Sequence, residues 1–517
     1  MTKWPTGFHM YPKLSPRHAC LSLLVLIVCC GSSWGQPGES YLATPERLQT
    51  QIDQLKAQVQ QMKSELDELR GRNVTKSEGD AGLNAASPSP LDGHGDGFQP
   101  AKTDSSSVDS LREELGIVNQ KVDEEYQTKV ESASRYHVRL TGMFLVNFFG
   151  NRGVTDNIEN PALPIISALG ESNGSFGGTI RQTQLGLEVQ GPDLFGAKAS
   201  GGIQIDFAGG FADSPGGFTV GLPRLRTGTV RLDWKKTSLV AGQDGLFFSP
   251  LSPTSFASIE QPPLAYSGNL WGWAPQIRIE HRFSAVAGSE ISVAAGILDP
   301  ISGELPVDGN RELGVGEASL QPALATHVAW AKGVFGKPLS IGVGAFHARQ
   351  HWQPSGAGTR VTSWLVSSDW DIPTSRWTSI TGSFYRGKSI GVFGGGIGQS
   401  AVVSDTPSSV VGSEPLFSGL DSMGGWVQLK VQPVRKVEFN TAFGQDNPFV
   451  TELRSAISIS YAGASLLRNR TVFSNVIYRP RSDLLFSLEL RHIRGVQQID
   501  ESSQSANHIN LGMGIFF

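Results

Sequence analysis

Two hydrophobic periods divide the chain. In ERLQTQIDQLKAQVQQMKSELDELR, Ile52, Val59 and Leu66 recur every seventh residue, and Leu48, Leu55, Met62 and Leu69 do so at the complementary position. That is the a and d seam of a coiled coil, and nearly everything off it is Gln, Lys, Glu, Asp or Arg. So narrow a stripe buries enough apolar surface only against copies of itself, and residues 36–70 are expected to be an oligomerisation segment. Aliphatic residues at both seam positions allow dimers or trimers. Residues 71–107, rich in Gly, Ser, Asp, Asn and Pro, predict a flexible linker. A second short coiled-coil helix is expected over 108–132, where Leu111, Leu115, Val118 and Val122 keep the spacing.

From Tyr136 the period becomes two. YHVRLTGMFLVNFFG sets Val138, Leu140, Phe144, Val146 and Phe148 on one face and His137, Arg139, Thr141 and Asn147 on the other. AKASGGIQIDF, TVRLDWKK, APQIRIEHRF, GGWVQLKV and LLFSLELR repeat that alternation. Short turns such as GPDLFGA, KKTS, DIPTS and YRPRS alternate with long segments near 151–175, 209–224, 246–271, 300–320, 387–420 and 447–467. A soluble sandwich has no reason to sort its connections by parity; an outer-membrane barrel does, with tight periplasmic turns and longer external loops. The expected fold is therefore an all-β transmembrane barrel over 136–517, with about sixteen antiparallel strands, preceded by a periplasmic α-helical coiled coil. ELRSAISISYAG is placed in a loop, although as a strand it would change that count.

The last ten residues, HINLGMGIFF, alternate in the same way. A closed barrel has no free edge, so this strand is expected to pair with the first and to turn its apolar face to lipid, with Phe517 in the aromatic girdle at the periplasmic interface.

Composition narrows the class further. Charged residues are 17% of the chain and the net charge is −4, which argues against a nucleic-acid partner. Lys3, Lys13 and Arg17 precede CLSLLVLIVCC, and Ser33 and Gly35 offer a cleavage site, so residues 1–35 predict a signal peptide. The apolar stretch is too short to cross roughly 30 Å of hydrocarbon as a helix. Cys20, Cys29 and Cys30 all fall inside it, so the mature chain would hold no cysteine, which excludes disulfides, thiolate metal sites and cysteine nucleophiles. Neither a cofactor nor a metal is expected.

IRQTQLGLEVQGPDLFGAKASGGIQIDF, residues 180–207, together with YHVRLTGMFLVNFFG, resembles bacterial outer-membrane porins, and the architecture is similar to that of DcaP-like porins. That resemblance implies a homotrimer with one pore per subunit, an N-terminal coiled coil in the periplasm, a loop folded into each lumen, and passive uptake of small, often anionic, solutes. Phe517 resembles the C-terminal signal read by the barrel assembly machinery. The implied surroundings are outer-membrane lipid and lipopolysaccharide.

In so wide a barrel the inward residues line water. Alternation nominates Arg139, Lys198, Arg231, Arg278, Lys430 and Arg491 as basic lumen residues, and Glu188, Asp206, Asp233, Glu280, Glu438 and Glu489 as acidic ones. Unlike charges on opposite walls would set a transverse field; adjacent pairs such as Arg278 with Glu280 would instead cancel along one wall. GLFFSPLSPTSFASIEQPPLAYSGNLWGW is the candidate constriction loop, stiffened by proline and carrying one formal charge, Glu260. A loop capping a neighbouring subunit would share these features. SIGVFGGGIGQS loosely matches dinucleotide-binding spacing, but no helix pattern follows, and in an external loop it reads as flexibility. The long loops carry more acidic than basic residues, which suits either cation entry or divalent-ion contacts at the lipopolysaccharide surface.

Three functions compete. The first is a porin passing small hydrophilic solutes, organic acids among them. The second is a structural anchor whose coiled coil ties the barrel to the cell wall. The third, a barrel enzyme such as a lipase, finds no support, because none of the ten histidines sits in a nucleophile motif.

Overall fold

The computed structural model describes residues 129–130, 136–166, 172–211, 221–301, 313–352, 358–404, 416–449, 453, 456–460, 466–498 and 501–517. The expected signal peptide, coiled-coil segment and linker lie outside these residues.

Sixteen strands form the wall. They are β1 His137–Arg152, β2 in two pieces at Gly174–Thr179 and Gln184–Leu194, β3 Ala197–Asp206, β4 Arg224–Asp233, β5 Thr237–Gly245, β6 Trp273–Ser284, β7 Glu290–Leu298 and β8 Ala323–Val334. The second half comprises β9 Lys337–Trp352, β10 Thr359–Pro373, β11 Thr378–Lys388, β12 Asp421–Val434, β13 Val437–Pro448, β14 Leu466–Tyr478, β15 Leu484–Gln497 and β16 Ser503–Phe516. Each strand runs antiparallel to the next, and β16 returns to β1 in a register from Met143 opposite Phe516 to Arg152 opposite Asn507. Closure leaves no wall edge unpaired, which is the condition for a sheet to stand in hydrocarbon.

Alternation decides which side each residue faces. On β16 Leu511 is 53% exposed to the outside while its neighbour Asn510 is 1% exposed on the inside. Phe148 and Ile279 face outward, and Asn147 and Arg278 inward. Phe517 extends β16, exchanging backbone hydrogen bonds with Gly142 at 2.9 and 3.2 Å and setting its ring 5.3 Å from Phe144.

Two local expectations change. Within the stretch expected to be helical over 108–132, Lys129–Val130 is instead a short strand opposite Val138 and Arg139, and the other residues of that stretch lie outside those described. Pairing with β16 stops at Met143, so that lower edge of β1 would otherwise be open. The 452–463 stretch holds a strand, Ala456–Ser460, but it pairs with Gln399–Ser404 in a small three-stranded sheet that also contains Leu416–Gly419, and the wall count is unaffected. The weak alternation of β14 has a physical cause: Phe473 and Ile477 are buried on the inner face, where other protein rather than water covers them.

Leu511→Arg would put a charge on the lipid face and is expected to cost about 2–4 kcal/mol near the bilayer midplane. Equilibrium unfolding in lipid vesicles checks this; Asn510→Ser, on the opposite face of the same strand, is the comparison.

Candidate permeation pathway

The 246–272 segment leaves β5 and returns at β6, but between them it crosses the interior. On one side Phe248 packs 5.2 Å from Phe346 and 5.5 Å from Phe393, within a cluster that includes Leu246, Leu270, Leu365 and Tyr385. Gly344 of β9 permits this, since a side chain there would lie 1.9 Å from the Phe248 carbonyl oxygen. Gly268 meets β12 as closely: its φ is +95°, and a Cβ would stand 2.4 Å from the backbone nitrogen of Gly425.

The middle of the segment reaches the far wall and is held there by polar side chains. The Thr254 N–H donates to Gln428 Oε1 at 2.7 Å, and Asn475 Nδ2 donates to the Thr254 carbonyl at 2.9 Å. Asn147 donates to the Phe256 carbonyl at 2.9 Å, and Gln182 to that of Ala257 at 3.0 Å. Gln182 is free to do so because β2 breaks between Thr179 and Gln184; there Thr183 Oγ1 accepts the Leu145 N–H that the ladder would have used. Arg491 pairs with Glu489 at 2.7 Å, donates to the Pro161 carbonyl at 3.0 Å, and also reaches Ser258. Glu489 in turn accepts from Ser255.

A second segment is packed inside as well. The glycine run expected to be a flexible external loop is buried at Ile390, Phe393, Ile397, Gln399 and Ser400. Its glycines serve tight turning and close approach: Gly394, Gly396 and Gly398 have positive φ, and the Gly396 N–H donates to Tyr385 Oη at 3.0 Å. Tyr385 donates to Asp446 at 2.6 Å.

Charged wall residues form contacts rather than free rows. Arg231 meets Asp233 at 2.8 Å and Glu280 at 3.0 Å, while Arg278 meets Glu280 and Asp244, both at 2.8 Å. Lys430 lies 3.4 Å from Glu438. Arg139 and Glu188 are exposed and opposite one another on β1 and β2, and Lys198 is exposed opposite Asp233. Glu260 is buried on the infolded segment. Burial pushes its carboxyl above the ordinary range, with Arg181 opposing that rise and Glu159 adding to it.

Strict alternation misses Arg224 and Arg226, which grip Asp206 at 2.6 and 2.8 Å and donate to the Glu260 and Ile259 carbonyls at 2.7 and 3.0 Å. Arg226 occupies a bulge: Gln204 faces Thr227 and Ile205 faces Leu225, so the extra residue shifts the phase of β4. The only sequence sign is LPRLRTG, two arginines spaced by one leucine at a strand start.

Space remains beside the infolded segment, against β2–β8. One cavity of about 490 Å³ is lined by Arg226, Ser238, Asp244, Arg278, Glu280 and His327, among others. Another, of about 380 Å³, is bordered by Glu188, Gln190, Ser200, Gln204, Thr229 and Arg231. The opposite side is filled by the clusters around Phe248 and around Leu264, Trp426 and Phe473.

A closed sixteen-strand barrel, apolar outside and narrowed by an infolded segment, is the fold of an outer-membrane porin. The chain is similar to the outer membrane channel DcaP of Acinetobacter baumannii, at 18% identity and a TM-score of 0.54, over 75% of this chain and 99% of that one. Similar barrels include an anion-selective porin from Comamonas acidovorans (12% identity, 74% of this chain and 100% of that one, TM-score 0.44) and OprB of Pseudomonas putida (11%, 74% and 94%, TM-score 0.45). At these identities the shared property is the fold. No protein-family model and no curated protein matches the chain.

Two outcomes follow for the infolded segment. Arg491→Met leaves the Glu489 carboxylate buried without its cation and is expected to cost about 3–5 kcal/mol, with noisier single-channel current as the segment loosens; adding Glu489→Gln should recover most of the stability. For Glu260 the raised value means that stability present in acid is lost as pH rises through its folded value. Glu260→Gln should therefore stabilise the barrel at neutral pH, and the gain should vanish below about pH 4, as thermal unfolding across pH will show.

Proposed function

We propose that the chain is a passive outer-membrane porin for small hydrophilic solutes, organic acids included. The observation that carries this reading is the pair of charged cavities left beside the infolded segment. An anchor that needed no pore would gain by packing that side too, as the other side is packed. Arg278, which lines the larger cavity, suits carboxylate-bearing solutes, while Asp244 and Glu280 keep the net field low. Arg231, Asp233, Arg278 and Glu280 are the side chains we assign to solute contact. Lys430, Glu489 and Arg491 we assign instead to holding the infolded segment and its wall, and Glu260 to the rim of the constriction.

We further propose a homotrimer with a periplasmic stalk: the heptad seam from Leu48 to Leu69 supports self-association, and the docked Phe517 supports recognition of the last strand by the barrel assembly machinery. No catalytic role is assigned to any residue.

Planar-bilayer recordings on the purified full chain test the channel: discrete ohmic steps are expected, and an anchor with a plugged lumen would pass almost no current. Arg231→Glu and Arg278→Glu should each shift the zero-current potential in a salt gradient towards cation preference, by replacing a positive charge with a negative one in a cluster that already holds Asp233, Asp244 and Glu280. An unchanged potential for both would place the solute route elsewhere.

A further inference from the structure

The outer face of the wall should be apolar, yet it carries a compact basic cluster on β14 and β15 towards the long-loop end. Arg470 and Arg494 stand directly opposite each other in the β14–β15 register, and Arg468 is two residues along on the same face. Like charges placed across a ladder repel, so such an arrangement persists only where something else compensates. Among the described residues nothing does. Arg470 reaches Gln445, Arg494 donates to Ser503 at 2.7 Å, and no carboxylate pairs with any of the three.

Immediately below, towards the short-turn end, the same face opens into a groove of about 630 Å³ bordered by Gly150, Arg152, Val472, Leu490, His492 and Ile509. Gly150 and Ser474 make it, being small residues where their neighbours present Phe148, Val472 and Val476. His492 and Asn507, hydrogen-bonded at 2.8 Å, mark its upper boundary, and Val476 and Tyr478 continue the lipid-facing surface beneath. The sequence of chemistries from top to bottom is cation, polar, apolar. That is the order of a phosphorylated headgroup and its acyl chain in the outer leaflet.

We propose that this surface binds one anionic lipid of the outer leaflet, with its phosphate groups on Arg468, Arg470 and Arg494 and one acyl chain in the groove beneath. Arginine forks match phosphate oxygens bidentately, and at the edge of the hydrocarbon layer such bonds are poorly screened. A second copy of this chain would have to bring carboxylates to the arginines and an apolar ridge to the groove at once, whereas an amphiphile supplies both in one molecule. The assignment rests on the barrel standing in the outer membrane, and not on its passing current.

The test uses the full chain purified in detergent, with diphosphorylated lipid A as the probe and phosphatidylethanolamine and inorganic phosphate as comparisons, read by native mass spectrometry. Diphosphorylated lipid A should be retained at one molecule per subunit, and phosphatidylethanolamine should not. Replacing all three arginines (Arg468→Gln, Arg470→Gln, Arg494→Gln) should weaken retention on the order of a hundredfold, at about tenfold or less per charge, and leave single-channel conductance unchanged. Ser474→Phe should weaken lipid A by filling the groove. If the triple variant folds poorly, Arg468→Gln, whose side chain has no hydrogen-bonding partner among the described residues, carries the same comparison. Undiminished retention by the arginine variants would overturn the proposal. So would full displacement of lipid A by inorganic phosphate, which would make this a free-anion site, or dissociation of the oligomer with no change in lipid binding, which would make it a contact between copies.

Discussion

Backbone hydrogen bonding in hydrocarbon is the constraint on which this molecule depends. No water is present there to satisfy an open N–H or C=O, so the sheet must close on itself, and β16 must meet β1. Closure fixes alternation, alternation fixes which residues see lipid, and the remaining half of each strand is left to line an interior. Two departures from regular pairing obey it as well. Thr183 supplies a hydroxyl where β2 breaks, and Lys129–Val130 covers the stretch of β1 that β16 does not reach.

Inside the wall, polarity follows contact and not depth. Where the 246–272 segment and the glycine run touch the wall, inward positions are apolar, as at Phe346, Leu365 and Phe473, or hydrogen-bond to the segment, as at Asn147, Gln428 and Asn475; beside the cavities they are charged. The inward-facing arginines divide the same way. Arg224, Arg226 and Arg491 spend donors on backbone carbonyls and fix the segment, while Arg231 and Arg278 stay beside the cavities in pairs with carboxylates. A charge drawn on the inner face is thus as often a bolt as a solute contact, and donation to a backbone carbonyl of an infolded segment tells them apart. Outside, the same logic makes Arg468, Arg470 and Arg494 conspicuous, because a lipid-facing strand has no protein neighbour to justify them.

Most of the wall was legible in the residue pattern. The inward positions expected for Arg278, Glu280, Glu489 and Arg491 lie where alternation put them, because a period of two survives any twist of the sheet. The local pairing of Arg278 with Glu280 and of Arg491 with Glu489 also follows from a two-residue spacing on one face. Three things were not legible. Arg224 and Arg226 depend on a bulge, and one inserted residue reverses every later side without a distinctive sequence mark. The burial of the glycine run depends on which distant side chains arrive to cover it, and glycine serves mobile and tightly packed backbone equally well. Which cavity stays open depends on how the 246–272 segment crosses the interior, and those contacts link residues far apart in the chain, some by more than two hundred positions, as Thr254 with Asn475. Periodicity is a local property and reports the surroundings averaged along a strand, whereas a path through a lumen is set by the few long-range contacts that close it elsewhere.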